Sequence, residues 1–154
     1  MLRALNARAG AVLLMAEADR RKALEDALNR AEAAYQAADA KYREQEELVS
    51  YYKQRRKEAS EKMYELDILT IPQLAEIMQR MKDPQERSIL NQAIDGLKTL
   101  STNADLQKSS NWREANRAEQ EKTDLWNARV ERLHARNAAT ERLAKFNTAN
   151  PPSS

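Results

Sequence analysis

The sequence predicts an all-α fold, an elongated coiled-coil-like helical bundle or hairpin that carries a small helical head. Apolar residues recur every three and four positions through residues 24–66, a stretch without Gly or Pro. Charged residues make up 32% of the 154-residue chain and aromatic residues only 5%, so bulky apolar area is too scarce for a deep core. The sequence Asp83-Pro84-Gln85-Glu86 has the pattern of a capping box and marks the start of a later helix.

The first long helix follows a heptad pattern through residues 24–66, from which only Gln45 and Arg56 depart. About 43 residues at 1.5 Å each give a helix of roughly 65 Å, which cannot bury its own apolar stripe. The rest of the chain or another subunit must therefore cover it. The a positions are Leu24, Ala31, Ala38, Gln45, Tyr52, Ala59 and Leu66, and the d positions are Leu28, Tyr35, Tyr42, Val49, Arg56 and Met63.

Residues 1–18 form a separate apolar stretch. We interpret it as a helical stripe that extends the first helix or docks on a partner; its members are Leu2, Leu5, Ala9, Val12 and Ala16. One alternative is a secretory signal, because Arg3 and Arg8 precede the apolar run and Ala16-Glu17-Ala18 has the form of a cleavage site. The other is contact with a membrane surface. The run is too short to span a bilayer, which requires about 20 residues.

The chain divides by its patterns into four parts. Residues 1–67 are the long N-terminal helix, residues 68–102 a head of short helices, residues 103–147 a C-terminal return helix and residues 148–154 an extended tail. In the head, we expect Thr70 to cap a helix that has Pro72 in its first turn. Gly96 should allow a close helix approach. The polar residues 101–110 predict a loop or frayed link, after which Asn111 would cap the return helix.

The head and two tryptophans supply the candidate partner-binding residues. Large aliphatic side chains are denser in residues 68–102 than elsewhere, and two short helices cannot bury them all against each other. Trp112 and Trp126 lie two heptads apart and so share nearly one helix face. They either pack against the Ala-rich side of the first helix or anchor a partner. The candidates are Ile71, Leu74, Met78, Met81, Trp112 and Trp126.

No residue pattern indicates catalysis, a metal or a cofactor. The chain has no Cys and a single His, so Glu131-x-x-His134 is only half of the motif that a di-iron bundle requires. Two isolated glycines cannot make a phosphate-binding loop. The basic run at residues 53–57 lies beside Tyr51 and Tyr52, but Glu58 and Glu61 follow, which favours a solvated face over nucleic-acid contact.

These observations predict a non-enzymatic structural or assembly component of a larger bacterial or phage machine, such as a virion or a secretion apparatus. In size and helix plan the chain resembles the coiled-coil hairpin stalk proteins of type III secretion ATPases and, less closely, the three-helix minor pilins of type IV secretion. Its expected partners are protein subunits, through self-association or within a larger complex. The alternative is an adaptor or regulator that binds a protein or nucleic acid through the surface of the long helix.

Overall fold

A computed structural model describes residues 2–152, and the chain is helical through nearly all of them. Helix α1 spans Leu2–Tyr64, a π-helical segment spans Glu65–Thr70, helix α2 spans Ile71–Arg80 and helix α3 spans Pro84–Ala149. The described residues contain no strand, and the predicted all-α helical hairpin is confirmed. The chain forms two compact units: a terminal unit of residues 2–43 and 123–152, and a middle unit of Glu44–Lys122.

In the terminal unit, the first part of α1 packs antiparallel to the last part of α3. Arg21 donates a hydrogen bond to Asn147 at one end, and the rings of Tyr42 and Trp126 lie 5.3 Å apart at the other. Both helices advance by the same number of residues, three heptads, between these two contacts. The pairing therefore keeps a single register over this length.

In the middle unit, the second part of α1 packs antiparallel to the first part of α3. Lys122 pairs with Glu46 at 3.7 Å, and the Ser101 hydroxyl donates to Asp67 at 2.6 Å. The buried apolar residues of this unit are mostly small, as the scarcity of bulky apolar residues in the sequence predicts. They are Val49, Ala59, Leu66, Ile94, Ala104, Ala115 and Ala118.

The predicted heptad is confirmed by burial. Every a and d residue in positions 24–66 is buried or half-buried except Arg56, which is exposed. The other departure from the pattern, Gln45, is half-buried and donates to the Ala118 carbonyl at 3.0 Å. Among the described residues, Gln45 thus has hydrogen-bond partners on α3, whereas Arg56 makes no ion pair or hydrogen bond.

The link from α1 to α2 shows that the cap predicted at Thr70 is wrong. Thr70 has helical φ and ψ and makes no capping hydrogen bond, because the chain reaches α2 through the π-helical segment without leaving helical geometry. The Ile71 amide donates to the Leu66 carbonyl, five residues earlier. A proline has no N–H to donate, and its ring clashes with a carbonyl in an ordinary helical turn. The wider π turn directly precedes Pro72, at the place where the proline would otherwise disturb the helix.

The predicted loop at residues 101–110 and the cap at Asn111 are also wrong, because α3 runs through both. This stretch is polar, but it lacks Gly and Pro, and its small residues pack: Ala104 is only 2% exposed. Ser101 satisfies its hydroxyl on Asp67, and Thr102 bonds back to the Lys98 carbonyl. A thin seam of small residues supports a helix whose exposed faces are polar.

Two further predictions have different outcomes. A Cβ built on Gly96 meets no atom within 4 Å, so the predicted close approach is wrong. The Asp83 cap is confirmed: its carboxylate accepts a 2.9 Å hydrogen bond from the Gln85 amide at the start of α3.

The separation of residues 68–102 as a head stays a prediction. Helix α3 ends at Ala149, before the described tail residues 150–152; positions 1, 153 and 154 of the predicted N-terminal and tail segments lie outside the described residues.

Candidate interaction surfaces

The first turns of α1 expose a set of large apolar side chains. Residues 2–19 make no side-chain hydrogen bond, ion pair or ring contact with the rest of the described chain. We call this set the N-terminal apolar segment; its members are Leu2, Leu5, Val12, Leu13, Leu14 and Met15, between 62% and 80% exposed. Within residues 2–152, no helix combines the length and apolar character needed to cross a membrane.

A second exposed apolar surface lies around α2, near four of the predicted partner-binding residues. Ile71, Leu74, Met78 and Met81 are half-buried. Their neighbours are more accessible, with Ile77 49% exposed on α2 itself. The other exposed members of this surface are Ile68, Leu69 and Ile89. Partner binding at the four named residues stays a prediction.

Trp126 lies in an aromatic cluster of the terminal unit. Its ring faces Tyr42, and the Arg129 guanidinium lies 5.1 Å from its centroid and 5.5 Å from that of Tyr42. Trp126 nevertheless remains 45% exposed. Its apolar body thus packs against the other helix while part of the ring stays accessible, and anchoring of a partner stays a prediction.

Charge pairs accompany this aromatic cluster. Arg129 donates to Asp39 at 2.6 Å, and Arg136 pairs with Glu32 at 3.5 Å while lying 4.7 Å from the Tyr35 ring centroid. Desolvation alone would raise the pKa of Asp39, but hydrogen bonds and charges from Arg129 and Arg43 outweigh it and lower the pKa. The same hydrogen bond raises the pKa of Arg129. Each of the two α3 arginines therefore has an acidic partner on α1.

Trp112, in the middle unit, borders a cavity of about 370 Å³ lined by Arg56, Lys108, Ser109, Trp112 and Arg113. We call it the cation–tryptophan cavity. Trp112 is 48% exposed. No ion pair in the described chain involves any of the three cations, and no acidic residue lines the cavity.

Sequence reasoning missed this cavity although two signals were present. Arg56 interrupts the heptad as a polar residue, and residues 53–57 form a basic run. The sequence predicts a loop or frayed helical link that contains Lys108, with Arg113 just beyond it, so it does not align either residue with Arg56. The antiparallel register of α1 and α3 brings all three together.

The single histidine belongs to no metal-binding group among the described residues. His134 is exposed and borders a shallow depression with Asn137, Thr140 and Glu141. Within residues 2–152, no group of three or more His, Cys, Asp or Glu side chains is placed to hold a metal ion.

No protein-family model matches this sequence, and no curated protein or solved structure is significantly similar to it.

Proposed function

We propose that the chain is a non-enzymatic structural or assembly component of a larger bacterial or phage multiprotein machine, a virion or a secretion apparatus. The observation that supports this most is the balance of exposed and buried apolar side chains. Among large apolar side chains of residues 2–152, only Val49, Leu66 and Ile94 are buried. Many more are at least 39% exposed, including all six members of the N-terminal apolar segment. Surfaces of this kind mark interaction sites.

The energies favour association through more than one surface. Fully burying one large aliphatic side chain stabilises by about 1.5–3 kcal/mol, so the six side chains of the N-terminal apolar segment offer on the order of 10 kcal/mol. Association itself costs about 4–15 kcal/mol. The segment alone is therefore near balance, and a stable complex needs further contacts such as the exposed residues around α2.

The second candidate function is an adaptor that binds one protein reversibly. The unpaired cations of the cation–tryptophan cavity favour it, since they offer a local site with its own ligand chemistry. The two functions differ in stoichiometry. An assembly component is present in several copies per complex, whereas an adaptor binds as a single copy.

The test is incorporation into the complex that the chain joins in its native cells. A Leu5→Asp, Val12→Asp double variant, at two positions on one helix face, should be lost from the complex, because two buried carboxylates would lack partners in an apolar contact. Arg30→Glu is the matched control, since Arg30 is exposed on the same helix and makes no ion pair in the described chain. Circular dichroism should show unchanged helix content in both variants. Normal incorporation of the folded double variant would contradict assembly through this segment.

A further inference from the structure

We propose that the cation–tryptophan cavity binds an acidic peptide segment of a partner protein. Carboxylates of the segment would pair with Arg56, Lys108 and Arg113, and an apolar side chain between them would lie on the Trp112 ring. This site is separate from the N-terminal apolar segment, so the inference stands or fails independently of the assembly function.

Arg56 is an exception among the polar residues of the seam. Gln45 occupies a heptad a position and bonds to the Ala118 carbonyl at 3.0 Å and Glu121 at 3.3 Å. Arg129, which bonds across the seam of the terminal unit, is paired with Asp39 at 2.6 Å. Arg56 occupies a d position and has no acidic partner among residues 2–152.

Arg56 stabilises the helix pair less than an aliphatic residue at the same position would. An aliphatic residue at a d position packs into the facing helix and stabilises the pair, whereas the exposed Arg56 leaves an opening beside Trp112. Residues that break a local folding rule without a compensating contact are found at functional sites. The missing compensation here is a negative charge, which a ligand can supply.

The size and lining of the cavity suit an acidic peptide. The volume of about 370 Å³ is within the range of ligand pockets and holds a few side chains. Guanidinium groups bind carboxylates through paired, charge-assisted hydrogen bonds. Trp112 and the aliphatic stems of the cations supply an apolar wall, and Trp and Arg are the residues most enriched at binding hot spots.

The charges around the cavity favour a peptide over a nucleic-acid strand as its ligand. A strand needs cations that continue along several nucleotides. Three cations near the cavity have acidic partners: Lys53 lies 2.6 Å from Glu119, Lys57 3.9 Å from Glu61 and Arg117 3.8 Å from Glu114. Arg55 makes no ion pair in the described chain, but its guanidinium lies 5.8 Å from the centroid of the Tyr51 ring. The neighbouring carboxylates would repel a phosphate backbone that continued beyond the cavity, which favours a short peptide.

The experiment uses the whole chain with Trp126→Phe, which leaves Trp112 as the single tryptophan, and excites at 295 nm, roughly where tyrosine no longer absorbs. The probes are two blocked peptides, acetyl-EELEE-amide and acetyl-EEFEE-amide, with acetyl-QQLQQ-amide and a ten-nucleotide oligothymidine for comparison. We expect saturable change in Trp112 emission with the acidic peptides. The uncharged peptide and the oligothymidine should bind at least about tenfold more weakly, a difference of about 1.4 kcal/mol.

Variants locate the binding. Arg56→Gln and Arg113→Gln should each weaken acidic-peptide binding about tenfold, as expected for loss of a hydrogen bond between charged groups. Arg30→Gln, outside the cavity, should leave it unchanged. Calorimetry with Trp112→Ala provides a readout without fluorescence and should show the same weakening.

Three results would overturn the proposal. One is the lack of saturable binding by either acidic peptide at concentrations up to about 1 mM. Another is equal weakening by Arg30→Gln and Arg56→Gln, which would indicate a general charge effect. The third is tighter binding of the oligothymidine than of the acidic peptides, which would assign the cavity to single-stranded nucleic acid.

Discussion

At the scale of single residues, Asp39 joins the two helices of the terminal unit. Its carboxylate lies 2.6 Å from Arg129 on α3 and 3.0 Å from Arg43 on α1. Its folded-state pKa is lowered, so the folded chain holds a proton on this carboxyl less readily than the unfolded chain. The resulting stabilisation is complete above the unfolded value, about 3.9, and is lost as the pH falls through the lower folded value.

Asp39→Asn should therefore change the acid dependence of stability. We expect the variant to unfold more easily than the natural chain at pH 5 to 7, because the charged pair with Arg129 is lost. The difference between the two unfolding free energies should shrink as the pH falls below about 4, where Asp39 of the unfolded chain becomes protonated, and should continue to shrink through the lower folded pKa. Urea unfolding at several pH values measures this.

Asp26→Asn is the matched control for Asp39→Asn. Asp26 is exposed on the same helix and makes no ion pair in the described chain, so its replacement should leave the pH profile unchanged. A constant difference between Asp39→Asn and the natural chain from pH 7 to pH 2 would contradict the role given to the Asp39 charge.

Gly96 gives a second residue-scale prediction. It lies within α3, where Gly is less favourable than Ala, and an added Cβ meets open space. Gly96→Ala should raise the free energy of unfolding by about 0.5–1 kcal/mol, as measured by thermal or urea unfolding. Destabilisation would instead support the close approach that the sequence suggested.

At the scale of elements, two predicted caps differ in the structure. Asp83 caps α3 through the Gln85 amide, whereas Thr70 makes no capping bond at the start of α2. Asp83→Ala should cost about 1 kcal/mol of unfolding free energy, and Asp83→Asn only a few tenths, because Asn caps equally well. Thr70→Ala should not show a loss of this size. Equal losses for Asp83→Ala and Thr70→Ala would contradict the assignment of the cap to Asp83 alone.

The same elements show which features can be predicted from the sequence. The heptad predicts the seam because spacing alone decides which side of a helix is apolar, and Asp83 predicts a cap because its signal is local. The helix through residues 101–110 escaped prediction because its support is tertiary: Ala104 and Ser101 gain their burial from packing across the seam. The cation–tryptophan cavity escaped for the same reason, since it needs the register of α1 and α3.

At the scale of the whole molecule, function depends on how the exposed apolar residues are covered. Met78→Asp or Met81→Asp should reduce incorporation into the native complex, because each half-buried residue lies beside the exposed surface around α2. Arg30→Glu again serves as the control. Arg21→Glu does not, since Arg21 bonds to Asn147 and to the Asn150 carbonyl. If the Met variants keep their helix content and assemble normally, the surface around α2 is not a binding surface.

The most direct test of an assembly function is the copy number of the chain in its native complex. Native mass spectrometry of the complex isolated from the producing cells gives this number, and the purified chain should be measured beside it. The assembly function predicts two or more copies per complex, in a ratio to the other subunits that stays fixed between preparations. A single copy, bound to one partner in a proportion that changes with concentration, would contradict the assembly function and identify an adaptor.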